Sequence, residues 1–329
     1  MGIAIFGLMG LHALTTPPHR SMRAVAATTG THAAVVRTAV PSHAGSAAPQ
    51  PSLSPSHSPV PTALPVVKVP ILSRSWLRAH PVADPPHITG RAAIVVDLAS
   101  GQVLYEQAAT ARYADASLTK MMTAMVATDL ASMDTVITVS PQATLVEPNH
   151  MGLSPGEQLT LRELLDGLLL NSGNDAAEAI AGGIVDRDKF IDFMNQKAAA
   201  LHLRATHFTN PSGFDDPNHY SSASDLAVVA STLLDDYPDL RAIVGAKLVT
   251  IPPTAQHKAF NPSNIDRLLW TYPGAIGLKP GYTDAAGYCL AAAATRGGRT
   301  IVAIVLGSTQ HFTDAATLLD FGFHQPVTR

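Results

Sequence analysis

The chain has 329 residues, a single cysteine and an uneven distribution of charge. Residues 1–87 hold 13 of the 25 prolines, six basic residues and one acidic residue. The rest of the chain, which we call the body, has 16 basic and 24 acidic residues and a net formal charge of −8. One cysteine excludes a disulfide scaffold, a zinc ribbon and an iron–sulfur protein, and the acidic body argues against a nucleic-acid-binding protein, which needs a basic face for phosphate.

The N-terminal residues have the pattern of an export signal. Residues 3–14 are an apolar run interrupted by His12, and this run is shorter than the roughly 20 residues that a membrane-spanning helix needs. It fits the apolar region of a signal peptide, and Ala24-Val25-Ala26 offers a small-residue cleavage site, although no Lys or Arg precedes the run. We therefore predict a signal peptide or an N-terminal anchor over residues 1–26. The alternative is an alanine-rich tail without a targeting role.

A proline-rich segment follows. Eight prolines fall between positions 41 and 70, among Ser, Ala and His. Because proline lacks an amide donor and does not continue a helix, this density predicts a disordered linker over residues 27–87. The remaining residues, 88–329, are numerous enough to bury a full hydrophobic core.

The body begins with a predicted hairpin and continues with helices. Residues 91–97 and 102–106 have strand composition, and Ala99-Ser100-Gly101 between them is a turn signal. Periodicity predicts helices over 117–130, 160–170, 174–185, 187–201, 222–235 and 311–321, and further strands over 247–251, 275–279, 286–294 and 299–306. Strands at both ends of the body with helices between them predict an α+β fold, in which chain-distant strands form an antiparallel sheet beside a helical subdomain.

Three short motifs lie in the body in a fixed order. A serine precedes a lysine by three places once, in Ser117-Leu-Thr-Lys120. A serine precedes an asparagine by two places once, in Ser172-Gly-Asn174, and a lysine precedes a glycine by two places once, in Lys279-Pro-Gly281. Each motif alone is a weak signal, whereas their order and their spacing of 55 and then 107 residues make the combination specific.

The chemistry of these residues is coherent. Residues three apart on a helix share a face, so Ser117 and Lys120 can meet. A serine hydroxyl needs a base to become a nucleophile, and a lysine amine serves as that base when burial or a neighbouring cation such as Lys279 lowers its pKa. Ser172 can relay a proton between amines, and Asn174 can hold Lys120 and a substrate amide by hydrogen bonds.

These motifs are those of penicillin-binding proteins and class A β-lactamases. More closely, the sequence resembles the low-molecular-mass D-alanyl-D-alanine carboxypeptidases of bacterial cell walls, from about residue 90 to the C terminus. The matching stretches are Ala116–Ala124, Asn171–Ala177, Pro211–Tyr220, Ser224–Ala227, Asn264–Leu269 and Gly277–Gly287. The resemblance implies the β-lactamase/transpeptidase-like fold.

The resemblance also implies the roles of the first two motifs. Ser117 is the acyl-accepting nucleophile and Lys120 is its base, while Ser172 and Asn174 form the second catalytic motif. The backbone amides of Ser117 and Tyr282 form the oxyanion hole. The implied reaction removes the terminal D-Ala from a peptidoglycan stem peptide through an acyl-enzyme, and the family implies β-lactams as covalent inhibitors.

The third motif departs from the family pattern. The substrate-binding group implied by the resemblance is Lys279, Gly281, Tyr282 and Thr283, with Lys279 on the terminal carboxylate. Pro280 stands where the family usually has Thr or Ser, and losing a hydrogen bond to a charged group costs roughly 1.5–3 kcal/mol. We expect an active enzyme in which Thr283 or Lys279 takes more of the carboxylate binding.

Other polar residues have structural interpretations. We expect Asp215, Asp216 and His219 to fix the geometry of a turn, and Cys289 to be a small buried apolar residue. Glu147 and His150 have a zinc-like spacing, but proline at 148 breaks the helix that such a pair needs, and no His-Glu-x-x-His motif occurs. We therefore expect no metal and no cofactor.

Three alternative functions compete with this interpretation. A class A β-lactamase needs a deacylating Glu-x-x-Leu-Asn motif, which is missing between Asn174 and Lys279. The sequence does not distinguish a carboxypeptidase from a DD-endopeptidase acting on cross-links. Pro280 is the reason for the third alternative, a non-catalytic penicillin- or muropeptide-binding module. A peptidoglycan substrate implies an extracytoplasmic protein, secreted or tethered to the membrane through its N terminus, with no other membrane contact and no nucleic-acid partner.

Overall fold

The computed structural model describes residues 64–65 and 68–326, so the predicted signal or anchor and most of the predicted linker lie outside the described residues. The helices are α1 (Ser75–Ala79), α2 (Thr119–Leu130), α3 (Leu161–Leu169), α4 (Asn174–Ile184), α5 (Arg187–Ala200), α6 (Ala223–Asp236), α7 (Pro238–Gly245), α8 (Leu268–Thr271) and α9 (His311–His324), with 3₁₀ turns at Ala116–Leu118 and Gln142–Thr144. The strands are β1 (Ala92–Asp97), β2 (Val103–Gln107), β3 (Val136–Thr138), β4 (Gln158–Thr160), β5 (Ala275–Thr283), β6 (Gly287–Arg296) and β7 (Arg299–Ser308).

A five-stranded sheet in the order β2-β1-β7-β6-β5 organises the fold. The first strand of the body pairs with the last, from Ala92 opposite Leu306 to Asp97 opposite Ile301, and all the pairings are antiparallel. The predicted α+β fold, with a sheet built from chain-distant strands, is therefore confirmed. β5 lies at one edge of the sheet, so one side of this strand is left to face another part of the molecule.

Both faces of the sheet are covered, which explains the continuous apolar runs in β1 and β7. Alternate side chains of a strand point to opposite faces. Ile94 and Val96 accordingly join the core formed with the helical subdomain, whereas Val95 packs with Leu318 and Leu319 of α9.

Helix α2 runs through the centre of the helical subdomain. Ten of its twelve residues are buried, as expected for a helix whose surroundings are protein on all sides. The neighbouring helix α3 begins with a complete capping box, in which Thr160 and Glu163 satisfy each other's backbone amides. The buried course of α2 carries Lys120 into the interior.

Two predicted segments are wrong in extent or type. The predicted strand over 247–251 is not a strand, because only isolated bridges form at Leu248 and Ile251 and the prolines that follow have no amide to donate. The predicted linker over 27–87 extends too far, since α1 lies within it. There the Trp76 side chain is buried, and Val103 donates its backbone N–H to the Ser73 carbonyl at 2.8 Å.

Candidate active site

Ser117 lies in the 3₁₀ turn that leads into α2. The preceding residue, Ala116, has a φ of +49°, a left-handed conformation that is costly for a residue with a side chain. Gly213 packs against this turn, and a Cβ atom at Gly213 would lie 1.8 Å from the Ala116 carbonyl oxygen. The close approach of glycine fixes the turn and with it the position of Ser117.

Buried side chains that hydrogen-bond to one another hold the start of α2 in place. Thr119 donates its hydroxyl to Asp115 at 2.9 Å, and the Thr119 oxygen lies 2.8 Å from Nε2 of His219. The prediction that His219 serves the geometry of its turn is consistent with this arrangement, because His219 contacts the residues around the serine and does not line the cleft.

Lys120 is fully buried and contacts three oxygen atoms. Its Nζ lies 3.0 Å from Oγ of Ser117, 2.7 Å from Oδ1 of Asn174 and 2.6 Å from the carbonyl oxygen of Ser212. None of these partners carries a formal charge. Burial, followed by the positive charge of Lys279, lowers the pKa of Lys120 well below its usual value. A neutral amine at hydrogen-bonding distance from a serine hydroxyl is a base for that hydroxyl.

Asn174 begins α4 and is held in place by a neighbouring loop. Its Nδ2 donates to the Glu147 carbonyl at 2.8 Å, and its backbone N–H donates to the Asn149 carbonyl at 2.7 Å. The Asp175 carboxylate accepts the backbone amides of residues 151, 152 and 153 at 2.7–2.9 Å, which holds the same loop. The Asn174 amide is therefore fixed with its oxygen directed at Lys120.

Ser172 lines the cleft and has a φ of +63°. Left-handed backbone is uncommon for a serine and marks positions where the surrounding structure imposes it. Here it accompanies the turn between α3 and α4, which places the predicted second motif opposite β5. The structure thus brings Ser172 and Asn174 into the same cleft as Ser117.

The free edge of β5 forms the opposite wall. A Cβ atom at Gly281 would lie 2.7 Å from the backbone nitrogen of Ser117 and 3.0 Å from the Ala116 side chain. Only glycine permits this approach, and it brings the backbone of β5 next to the Ser117 amide. The neighbouring Tyr282 has an exposed side chain, so its predicted role concerns its backbone alone.

Lys279 lies beneath the cleft and is completely buried. Its Nζ donates to the Pro280 carbonyl at 3.1 Å. Burial lowers the pKa of Lys279 to about 7, against the opposing effect of the Asp266 charge. Burial also raises the pKa of Asp266 to about 6. Lys279 therefore titrates near neutral pH, and its charge is one cause of the low pKa of Lys120.

The end of β5 is tied to a loop of the helical subdomain. Thr283 donates its hydroxyl to Asp215 at 2.6 Å, and the other Asp215 oxygen accepts the Ala285 amide at 3.1 Å. The Thr283 proton is used in this way, and Lys279 is completely buried and does not line the cleft, so a side chain must rearrange before either predicted ligand can bind a carboxylate. Asp215, which we expected only to shape a turn, also lines the cleft.

The cleft between β5 and the helices has a volume of about 940 Å³. It brings together every predicted site residue except the two lysines, which lie beneath its floor. Sequence reasoning missed further lining residues, namely Glu147, Asn149, Arg267, Asp284, Tyr288, His311 and Phe312. They come from separate loops and helix ends, and although Arg267 and Asp284 lie in stretches that resemble the family, no motif assigned any of them to the site. Within residues 64–65 and 68–326, no group of three or more His, Cys, Asp or Glu side chains is placed to hold a metal ion.

Comparisons with known proteins relate the chain to one family. The D-alanyl-D-alanine carboxypeptidase family matches residues 79–310. D-alanyl-D-alanine carboxypeptidase DacB2 of Mycobacterium tuberculosis is 39% identical over 259 residues, covering 74% of this chain and 84% of the relative. DacF of Bacillus subtilis is 34% identical, covering 72% of this chain and 63% of the relative. The crystal structure of the Streptomyces K15 DD-transpeptidase superposes with a TM-score of 0.70 at 32% identity, covering 74% of this chain and all of that chain.

Proposed function

The chain belongs to the D-alanyl-D-alanine carboxypeptidase family of serine peptidases, and we propose that it removes the terminal D-Ala from peptidoglycan stem peptides through an acyl-enzyme on Ser117. The observation that carries this proposal is the position of Lys120, whose Nζ lies 3.0 Å from the Ser117 hydroxyl with a pKa lowered by burial and by Lys279. That geometry supplies a nucleophile and its base in one contact.

In the acylation step, Lys120 takes the proton of Ser117 as Oγ attacks the carbonyl carbon of the penultimate D-Ala. The negative charge that develops on the carbonyl oxygen is stabilised by the backbone amides of Ser117 and Tyr282. The contact of Gly281 with the Ser117 amide supports this role, because it brings the two stretches of backbone together.

Collapse of the tetrahedral intermediate breaks the bond to the terminal D-Ala. The leaving amine needs a proton, which Lys120 returns directly or through the Ser172 hydroxyl. A water molecule then attacks the ester, with Lys120 again as the base, and Ser117 is regenerated with its proton. Asn174 holds Lys120 in register and offers its amide to the substrate backbone.

The terminal carboxylate is recognised by Lys279. Pro280 has neither a hydroxyl nor an N–H to offer, and the Thr283 hydroxyl is donated to Asp215. A bound carboxylate raises the pKa of a neighbouring lysine, so substrate binding favours the charged form of Lys279. The same site accepts β-lactams, whose ring carbonyl acylates Ser117.

A stem-peptide substrate places the protein outside the cytoplasm, at the cell envelope. None of the helices formed by residues 64–65 and 68–326 is long and apolar enough to cross a membrane. We assign export to residues 1–26 on the pattern of their sequence, by a cleaved signal or a retained anchor.

The test is acylation by a labelled penicillin, read by intact mass, together with release of D-Ala from a pentapeptide. Wild type should gain one adduct and release D-Ala, and Ser117→Ala should do neither. Ser132→Ala, which removes an exposed serine just beyond the other end of α2, is the matched control and should behave as wild type. An adduct without D-Ala release, or neither result in wild type, would leave a binding module and contradict the proposal.

A further inference from the structure

A second groove adjoins the catalytic cleft at the end of β5. Its volume of about 680 Å³ is within the range of roughly 300–1,000 Å³ that is typical of ligand sites. Asp215 lines both the groove and the cleft, and its carboxylate accepts the Thr283 hydroxyl and the Ala285 amide at 2.6 and 3.1 Å. A hydrogen-bonded side chain therefore marks the boundary between them. We call this second site the tyrosine groove, because Tyr113 and Tyr220 line it.

The tyrosine groove contains polar groups that are free to bind a ligand. The guanidinium of the exposed Arg112 lies 4.5 Å from the centroid of the Tyr220 ring. Within residues 64–65 and 68–326, the Arg112 side chain forms no ion pair and no hydrogen bond, and neither do the hydroxyls of Tyr113 and Tyr220. Packing against a ring restricts a guanidinium and leaves its N–H groups available. The groove thus presents a set of unused donors in fixed positions.

The formal charges at the tyrosine groove cancel. Arg112 and Arg91 are the cations, and Arg91 donates to the carbonyl of Ala285 on the groove wall at 3.2 Å. Asp215 and Asp216 are the anions. A neutral site with hydroxyl, guanidinium and carboxylate groups beside aromatic rings is complementary to an uncharged ligand rich in hydroxyl and amide groups, and less so to a charged peptide.

The direction of the substrate brings its distal part to this groove. In the proposed function the terminal carboxylate lies toward Lys279, and the carbonyl under attack lies at the backbone amide of Tyr282. The remaining stem peptide therefore continues past Thr283 and Ala285 toward Asp215. An extended chain covers about 10 Å over the three residues from 282 to 285, and three residues precede the reacting D-Ala in a pentapeptide. The group that reaches the tyrosine groove is then the sugar to which the peptide is attached.

We propose that the tyrosine groove binds an N-acetylated sugar of the glycan strand that carries the stem peptide, with Arg112 and the hydroxyls of Tyr113 and Tyr220 as hydrogen-bond donors. This inference rests on the proposed function, because the direction of the substrate is taken from it. The hydroxyls and the acetamido carbonyl of such a sugar accept these hydrogen bonds, while the tyrosine rings contact its apolar C–H groups.

A sugar site makes substrate choice depend on a group remote from the reacting bond. The sugar and the peptide are covalently joined, so binding of the sugar raises the effective concentration of the peptide at Ser117. Binding energy from a non-reacting part of a substrate also contributes to the rate at the reacting centre. We therefore expect kcat/KM for D-Ala release to be at least about tenfold higher for a pentapeptide attached to its disaccharide than for the free pentapeptide.

The first test measures kcat/KM for both substrates in each variant. Arg112→Gln should lower the value for the disaccharide-linked peptide by about tenfold, and Tyr220→Phe, which removes one hydroxyl, by about threefold. The value for the free pentapeptide should stay within about twofold of wild type. Lys247→Gln is the matched control, because it removes a cation that lies 5.8 Å from the exposed Trp270 ring and lines neither the cleft nor the groove. It should change neither value.

The second test measures binding without catalysis. The probe is a peptide-free tetrasaccharide of the glycan strand whose lactyl carboxyl groups are amidated, as they are when a stem peptide is attached. Ser117→Ala, which cannot be acylated, should bind this probe in a calorimetric titration. Adding Arg112→Gln to Ser117→Ala should weaken binding by about tenfold, and adding Lys247→Gln should not.

The outcomes separate this inference from the function on which it rests. Equal kcat/KM for the two substrates in wild type, or equal losses on both in Arg112→Gln, overturns the sugar site and leaves the carboxypeptidase intact. Tetrasaccharide binding that is missing, or that Arg112→Gln does not weaken, also overturns it. No D-Ala release from either substrate by wild type contradicts the proposed function, while the titration still tests the groove. Penicillin acylation rates and melting temperatures of the variants, expected to match wild type, verify that they are folded.

Discussion

Two lysines are buried in the helical subdomain, and they have opposite surroundings. Lys197 of α5 lies 2.6 Å from the Asp129 carboxylate and 2.5 Å from the Tyr237 hydroxyl, which in turn donates to Asp129 at 2.8 Å. Among the residues that the structure describes, Lys120 has no carboxylate within hydrogen-bonding distance, and its three partners are neutral oxygens. Both side chains have almost no exposed surface.

Both lysines are buried, so their different partners distinguish them, although burial itself is the largest cause of the lowered pKa of Lys120. Asp129 and Lys120 lie on the same helix, α2, near opposite ends. At one end the opposite charge compensates the ammonium group, which makes a structural tie between α2, α5 and the end of α6. At the other end burial, followed by the positive charge of Lys279, lowers the pKa of Lys120 well below its usual value, against the opposing effect of more distant carboxylates.

Replacing Lys120, the lysine without an opposite charge beside it, should have the largest effect, and we expect that effect on catalysis. Lys120→Met keeps a side chain of similar volume and removes the base, so the rate of acylation by penicillin should fall by about 10²–10⁴-fold. Stopped-flow or mass-spectrometric acylation kinetics measure it. Acylation within tenfold of wild type would show that another group takes the Ser117 proton.

The same substitution at Lys197, the lysine paired with a carboxylate, should lower the free energy of unfolding. Lys197→Met leaves the buried Asp129 without an opposite charge, which costs about 3–5 kcal/mol of unfolding free energy and lowers Tm by roughly 6–20 °C. Below that Tm, acylation by penicillin should remain within about twofold of wild type. Lys189→Met, on the exposed side of the same helix, is the control and should change stability by no more than about 0.5 kcal/mol. If Lys197→Met had the same free energy of unfolding as wild type, the ion pair between Lys197 and Asp129 would contribute nothing to stability.

The third lysine adds a pH dependence. Lys279 must be protonated to hold a carboxylate, and its pKa in the free enzyme is lowered to about 7. For a peptide with a free C-terminal carboxylate, kcat/KM should therefore fall above pH 7, approaching about tenfold per pH unit. The apparent pKa read from this alkaline limb belongs to the interacting pair of Lys279 and Lys120 and not to Lys279 alone. A peptide with an amidated C terminus should lack this alkaline limb, and a flat profile for both substrates between pH 7 and 9 would refute the role of Lys279.

The smallest effect is expected at Pro280, which is buried in β5 opposite Leu290. Pro280→Thr should leave kcat/KM for the pentapeptide unchanged or raise it by up to about tenfold, because the new hydroxyl can reach the carboxylate. Steady-state D-Ala release measures it, with Pro280→Ala as the control that lacks the hydroxyl. A large loss in the threonine variant would show that proline sets a different pocket geometry.

Local pattern was sufficient for most of the fold and for the catalytic motifs. The hairpin of β1 and β2, the helix after Ser117 and the three late strands all have clear periodicity, and the motif spacing identified Ser117, Lys120 and Asn174 before any contact was known. Lys120 could be proposed as a base because the sequence places it three residues after a serine.

What the sequence could not predict depends on contacts between distant segments. The strands β3 and β4 have only three residues each and are stabilised by pairing with each other. The left-handed backbone of Ser172 is imposed by its surroundings, since serine itself does not favour it. The burial of Lys197 has no local signal on a helix of mixed polarity. The cleft residues Tyr288 and His311 meet only because β6 and α9 begin at the same end of the sheet.

The most direct test of the central claim is to give Lys120 the kind of partner that Lys197 has. Asn174→Asp places a carboxylate at the Oδ1 position, 2.7 Å from Nζ in the wild type, and the measurement is the pH dependence of penicillin acylation. The account predicts an acid limb in wild type far below the usual lysine pKa. In the variant, that limb should move upward by at least about one pH unit, with slower acylation at neutral pH. Superimposable pH profiles for the two proteins would contradict the assignment of Lys120 as the neutral base.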